Sequence, residues 1–433
     1  MFLRCTVVLL VVAACGGSPA SMMEPAPDGD GDGSSSIDAT PLPADPCGGM
    51  TAACPTVPAG FGRGDGLRAI DHCAFPMTDR ATWDDRGALI DALPQALTRV
   101  PLADIATDLN RTGVAQTAAQ VPGNPPGVTR AFAWQSGDES VTYWIPQGIA
   151  GSFEARDDGV VAGKKLVLVS WYYDIANDAG STTEKGVRIA IVDATNAGAP
   201  TYRFALLVEP VARDGRTDFA PVKVHAGGLA WYGDLLYVPV TGSGFRVFDL
   251  SRILRIDGTE DRLGYNATTG TYNAHGYRYA IPQIGEYIDA GACNMVFSYV
   301  ALDRTSTPHS LISGEYDATT VNGRVFRWPL DPSTGRLQLT DAQRVVPDGV
   351  WFAGESHVQG GLAHDNTFWL SSSQPAGSAG ALYRARVNMP STTLGWIDSP
   401  EDLAFDPKLD AVWSLSEATN ARSVIAVRLD AID

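Results

Sequence analysis

Lysine and arginine are scarce in this chain: 32 of them face 49 acidic residues among 433, a formal net charge of -17. That balance excludes a general nucleic-acid binder, whose affinity rests on cations neutralising phosphates, and adhesion to anionic lipid through a basic patch. There is no GxSxG, no Walker loop, no HExxH and no dinucleotide fingerprint after a strand. The run Gly242-Ser243-Gly244 precedes a strand rather than a helix, so no helix dipole is at hand to cradle a phosphate. Cysteine is sparse, with six residues, and the apolar run at the amino terminus is too short to cross a bilayer as a helix.

What is present in quantity is punctuation: 45 Gly and 28 Pro, with 45% hydrophobic and 19% charged residues, a globular composition with material for a core. The opening MFLRCTVVLLVVAAC has the build of a signal peptide. Its end, Val12-Ala13-Ala14-Cys15, resembles the lipobox of bacterial lipoproteins, which makes Cys15 a lipidation site and discards Cys5. Ordinary cleavage near Ala14 is the plainer alternative. Gly16 after the cysteine favours an outer-membrane or cell-surface lipoprotein over inner-membrane retention.

Residues 15–58 read as a disordered, lipid-anchored linker, rich in Gly, Pro, Ser and Asp. Asp28, Asp30 and Asp32 imitate the front of a calcium loop, but the twelfth position is Ala39, where a bidentate Glu belongs. Four cysteines remain, Cys47, Cys54, Cys73 and Cys293, an even number suited to disulfides in an exported chain. Three connectivities are open. The favoured one is a local Cys47–Cys54 loop with a Cys73–Cys293 staple.

Residues 59–128 form a helical and irregular segment, because 79–110 spaces its apolar residues by three and four. From 129 to 433 the pattern switches to short runs rich in Val, Ile, Tyr, Phe and Trp, each ended by Gly, Asp, Asn or Pro. Five sets of such runs recur, with phased starts QGIAG, GGLAW, GGLAH and EDLAF. The fifth set is one strand short, and a spare run, TRAFAWQSG, stands before the first. The expectation is an all-β, five-bladed β-propeller closed by an amino-terminal strand. Trp171, Trp231, Trp328, Trp369 and Trp413 fall at repeating places and read as packing between strands.

Strands that alternate in direction bring first-strand starts and second-strand ends to one rim. There the sequence places Gln147, Asp174, His225, Glu315, His357, Asp402 and Glu417 as candidate ligand-binding residues, with Asn294, Gln359, Glu401, Thr241 and Ser372 beside them. Polar residues at strand ends also serve turns, the plainer reading for Thr241 and Ser372. His225 and His357 stand in similar contexts, HAGGLA and HVQGGLA. No catalytic residue and no cofactor is identified, and calcium is the metal compatible with so many carboxylates.

The motifs QGIAGS, LLVEP, HAGGLAWYG, RVFDL, SLISGEY, RWPL and WSLSE, in that order over roughly 104–429, resemble a family of secreted bacterial β-propeller proteins found widely in actinobacteria. That resemblance implies a propeller and export, and it carries over no catalytic residue. The leading expectation is a cell-surface lipoprotein, its one membrane contact the lipid anchor, whose channel mouth binds an extracellular small polar molecule, glycan or partner protein. The alternative is an extracytoplasmic propeller hydrolase or lyase working through paired carboxylates or a carboxylate-bound divalent cation.

Overall fold

Strands dominate because the long apolar runs are β-branched and aromatic and too short for helices. In the computed structural model, which describes residues 41–80, 82–94, 97–374 and 379–433, the chain is mostly β. The unit Leu42–Asp433 holds all the strands, and Cys5, Cys15 and the Asp28–Asp32 run lie outside the described residues.

Five antiparallel four-stranded meanders follow one another. The first is Trp144–Gly151, Leu166–Tyr173, Val187–Asp193 and Thr201–Arg213. Ala230–Tyr232, Leu235–Val240, Gly244–Asp249 and Tyr279–Asp289 make the second. The third is Phe297–Asp303, Ser310–Glu315, Arg324–Pro329 and Gly349–Phe352. The sequence run that follows the third strand, RLQLTDAQRVV at 336–346, suggests the fourth strand, but it forms only isolated bridges and Gly349–Phe352 takes that place. The fourth is Val358–His364, Thr367–Ser372, Ala381–Arg386 and Met389–Gly395. In the fifth, Pro400–Asp406, Ala411–Ser416 and Ser423–Arg428 take Val128–Ala133 as their fourth strand. One pairing was not foreseen. Thr201–Arg213 and Tyr279–Asp289 run parallel at Leu206–Val208 and Ala280–Pro282, joining the first two meanders in one sheet.

Burial differs between strands, and composition follows it. Leu166–Tyr173, LVLVSWYY, is apolar at almost every position because both faces are covered, whereas Met389–Gly395, MPSTTLG, is mostly exposed. The five repeated tryptophans are all buried. The phased glycines have a steric cause. A Cβ on Gly148 would stand 2.4 Å from the Gly228 carbonyl carbon, and one on Gly228 would stand 2.2 Å from Val300 N. First strands of successive meanders approach backbone to backbone there, and only glycine leaves room.

The helical expectation is met by Trp83–Asp91 and Leu102–Ile105. Trp83 lies edge-on to Tyr287 on the outer strand of the second meander, with ring centroids 5.9 Å apart. The linker expectation is corrected at its carboxyl end. Asp45 is clamped by Arg344, whose Nη2 lies 3.1 Å from Oδ1, and the contact holds the Asp45 carboxyl well below its ordinary pKa. The disulfides are Cys47–Cys73 and Cys54–Cys293, with Cα–Cα distances of 5.6 and 5.3 Å. The favoured pairing was the other one. Both bridges tie residues 47–54 down, so that stretch is part of the body.

Candidate functional site

The strand register produces the rim. Trp144 pairs with Tyr173, Phe297 with Glu315, Val358 with Ser372 and Pro400 with Ser416. First-strand starts and second-strand ends therefore share one side of the sheets, as alternation requires. A register shift between Pro400 and Leu403 leaves Glu401 and Asp402 unpaired on the ladder, and a bulge of this kind re-aims side chains.

Those two neighbours do different work. Asp402 is fully buried, and its Oδ2 accepts the backbone N–H groups of Ile149 at 3.0 Å and Leu229 at 2.9 Å. It stitches the fifth meander to the first and second, and so acts inside the scaffold. Glu401, 1% exposed, receives only a long contact from Gln359 Nε2 at 3.5 Å on Oε1, and its Oε2 has no partner. Burial pushes the Glu401 carboxyl well above the usual range, and the charges of Glu417 and Asp402 add to the effect.

Glu417 ends the neighbouring strand and is half-buried. Gln147 Nε2 donates to its Oε2 at 2.8 Å, leaving Gln147 Oε1 buried and unpartnered. Burial raises the Glu417 carboxyl, while the Gln147 hydrogen bond and the Arg422 charge oppose the rise. Arg422 itself donates to the Glu417 carbonyl at 3.0 Å, and burial lowers its guanidinium to about 10. Two tyrosines complete the group. Tyr172 is pushed up by burial and by the charges of Glu417, Asp174 and Glu401, and Tyr316 responds to Glu401 and Glu417 as well.

The remaining expected residues divide. Glu315 is a scaffold residue: Arg324 Nε lies 2.6 Å from Oε2, and the N–H groups of Val296 and Arg324 donate to the carboxylate at 3.0 and 3.1 Å. Asp174 caps a short 3-10 turn, accepting from Ala176 N at 3.0 Å and Asn177 Nδ2 at 2.6 Å. Thr241 and Ser372 donate to the backbone carbonyls of Phe297 and Ser356, contacts across the fold rather than the turn contacts of their plainer reading. His225 is exposed, lies against Tyr172 with centroids 4.4 Å apart, and lines a cavity of about 260 Å³ with Tyr172, Glu184 and Lys223. Desolvation in that concavity lowers its pKa, although solvent reaches the ring. His357 sits edge-on to Tyr316 at 5.8 Å, with Ser356 Oγ 3.0 Å from Nδ1. The histidines thus belong to separate tyrosine contacts.

The calcium reading asks for three or more convergent oxygens. Among the described residues, the one group of three such side chains with ligand atoms within 4.8 Å of one another is Cys47, His72 and Cys73, and both cysteines are spent in a disulfide. The rim carboxylates do not gather in that way. Tyr172 and Tyr316 are absent from the sequence candidates, although Tyr172 lies two residues before Asp174 in WYYD and Tyr316 follows Glu315 in GEYD.

No family model matches the sequence, and no curated protein matches it. Among solved structures the chain is similar to a GH43_1 enzyme from Xanthomonas citri, at 11% identity over 78% of this chain and 92% of that one, with a TM-score of 0.31. It is also similar to the RS223-Beta-xylosidase, at 10% identity over 66% and 94%, with a TM-score of 0.30. Likeness this shallow leaves the chemistry to be argued from the residues of this chain.

Proposed function

We propose that the five meanders are the blades of a closed propeller, and that its rim hydrolyses a glycoside through Glu401 and Glu417. Closure is supported by the first-strand contacts. They run from Gly148 to Gly228, from Gly228 to Val300, from Gly361 to Tyr299, from Gly360 to Asp402, and from Asp402 back to Ile149.

The observation that carries the chemistry is the pair itself: two carboxyls at adjacent strand ends, both raised by burial, one with a free oxygen and one oriented by an amide. Glycoside cleavage needs one carboxyl protonated to give the leaving oxygen its proton and one ionised to attack or to activate water. Glu401, the more deeply buried, takes the acid role. Glu417, held by Gln147 and opposed by Arg422, takes the nucleophile or base role. Export to the cell envelope and lipid attachment at Cys15 belong to the same proposal, and disulfide pairs accord with an oxidising compartment.

Binding without turnover is the second reading, favoured by the neutral donors Gln147, Gln359, Tyr172 and Tyr316 around the pair. The test is hydrolysis of aryl glycosides and polysaccharides by the parent, Glu401→Gln and Glu417→Gln. Loss of roughly 10²–10⁴ in rate in each variant is expected for acid–base residues. Sugar binding by a parent that turns nothing over supports the second reading, and undiminished rates in the variants sink the first.

A further inference from the structure

The opposite rim carries a second, chemically different site. First-strand ends and second-strand starts meet there, and a cavity of about 290 Å³ opens between the turns of the first, third, fourth and fifth meanders. That volume sits just under the range of roughly 300–1,000 Å³ usual for drug-sized ligands, so the occupant is small.

Its walls are apolar, supplied by Phe153, Leu302, Ala363 and Phe405. Phe153 is backed by Trp413, stacked at 5.9 Å, and the ring of His364, which also lines the cavity, lies tilted against Phe405 at 4.1 Å. The rim charge runs against the chain as a whole. Arg156 and Arg304 line the cavity but are matched by Asp234 and Asp157. Lys408 lines it too and is exposed; it makes no direct ion pair among the described residues, and its charge is felt by Asp157, which already pairs with Arg304. In a protein of net charge -17, pairing Arg156 with Asp234 and Arg304 with Asp157 leaves Lys408 as a cation in excess at this cavity, where an anion would meet it.

A buried polar group adds an independent observation. Glu154 lines the cavity and is 2% exposed; its Oε2 accepts the Gly151 N–H at 3.2 Å, and its Oε1 has no partner. Burial, with the charges of Asp402 and Asp406 nearby, raises its pKa well above the usual range. Burial disfavours the charged form of this carboxyl, so it sets little negative charge against an anion above it.

The geometry points to a binding site for a small aromatic carboxylate, its ring against Phe153, Leu302 and Phe405 and its carboxylate on Lys408, with Glu154 buried beneath the floor of the cavity. Nothing in this depends on the Glu401 and Glu417 pair on the other rim.

Calorimetric titration of the whole protein with phenylacetate, and with phenylacetamide as the uncharged match, tests it. One saturable site is expected, with the acid bound about tenfold or more tighter than the amide, the size of one charge-assisted contact. Lys408→Met is expected to remove that preference while melting with the parent, because the side chain is exposed. Ala363→Leu, which fills the cavity, is expected to abolish binding. Equal affinity for acid and amide, an undiminished preference in Lys408→Met, or no binding of phenylacetate by the parent overturns the proposal.

Discussion

Gln147 and Glu417 stand 270 residues apart in sequence and meet at 2.8 Å, side-chain amide to carboxylate, where the first meander adjoins the fifth. The contact fixes which oxygen of Glu417 is committed. It also holds the carboxyl below the level that burial alone would set.

Replacing Gln147 with Leu removes that restraint. The Glu417 pKa is expected to rise further, because a hydrogen bond to its charged form is lost. In a profile of kcat/KM against pH, the limb that reports the ionised base moves to higher pH, with kcat at the optimum changing far less. An unmoved limb separates Gln147 from the chemistry.

Glu401 predicts a stability effect of definite sign. Its folded pKa lies above its unfolded value, so its contribution is fully present below the unfolded pKa of about 4.3 and is lost as pH rises through the folded one. Glu401→Gln keeps the shape without the ionisation. The variant is expected to melt with the parent near pH 4 and progressively above it toward pH 8. A gap that closes with rising pH contradicts the assigned burial.

Glu315 is expected to matter for stability and not for turnover. Both it and Arg324 are largely buried, and removing one partner of such a pair costs about 3–5 kcal/mol. Glu315→Gln is expected to melt lower while its folded fraction retains the parental rate. Loss of activity without loss of stability returns Glu315 to the site.

The two disulfides are expected to differ in weight. Their separations of 26 and 239 residues correspond on the chain-entropy account to about 3.5 and about 5.5 kcal/mol. Non-reducing peptide mapping checks the connectivity, and paired Cys→Ser variants check the ranking. A peptide joining Cys47 to Cys54 refutes the first point.

The repeating strands were legible because glycine and aromatic positions recur with the steric demands of closely packed first strands, as at Gly148 and Gly228. The closing strand, Val128–Ala133, showed as a surplus before the first set and a deficit in the last. Side-chain partnership was much less legible. Glu315 and Glu417 look alike in SGEY and SLSE, yet one faces an arginine nine residues on and the other an amide from the far end of the chain. Glu401 and Asp402 are adjacent, and a register shift that no composition announces sends Asp402 to the backbone amides of two other meanders and leaves Glu401 with one long contact from Gln359. The disulfides were not legible for a related reason: spacing left all three connectivities open, and the pairing depends on the fold, which brings Cys47 to Cys73 and Cys54 to Cys293.

The most direct test of the central claim is the dependence of rate on the leaving group in Glu401→Gln. A general acid matters in proportion to how badly the departing oxygen needs a proton. The account predicts that the variant cleaves a dinitrophenyl glycoside at close to the parental rate and an alkyl glycoside of the same sugar about 10²–10⁴ times more slowly. An equal loss on both substrates, or no loss on either, contradicts Glu401 as the acid.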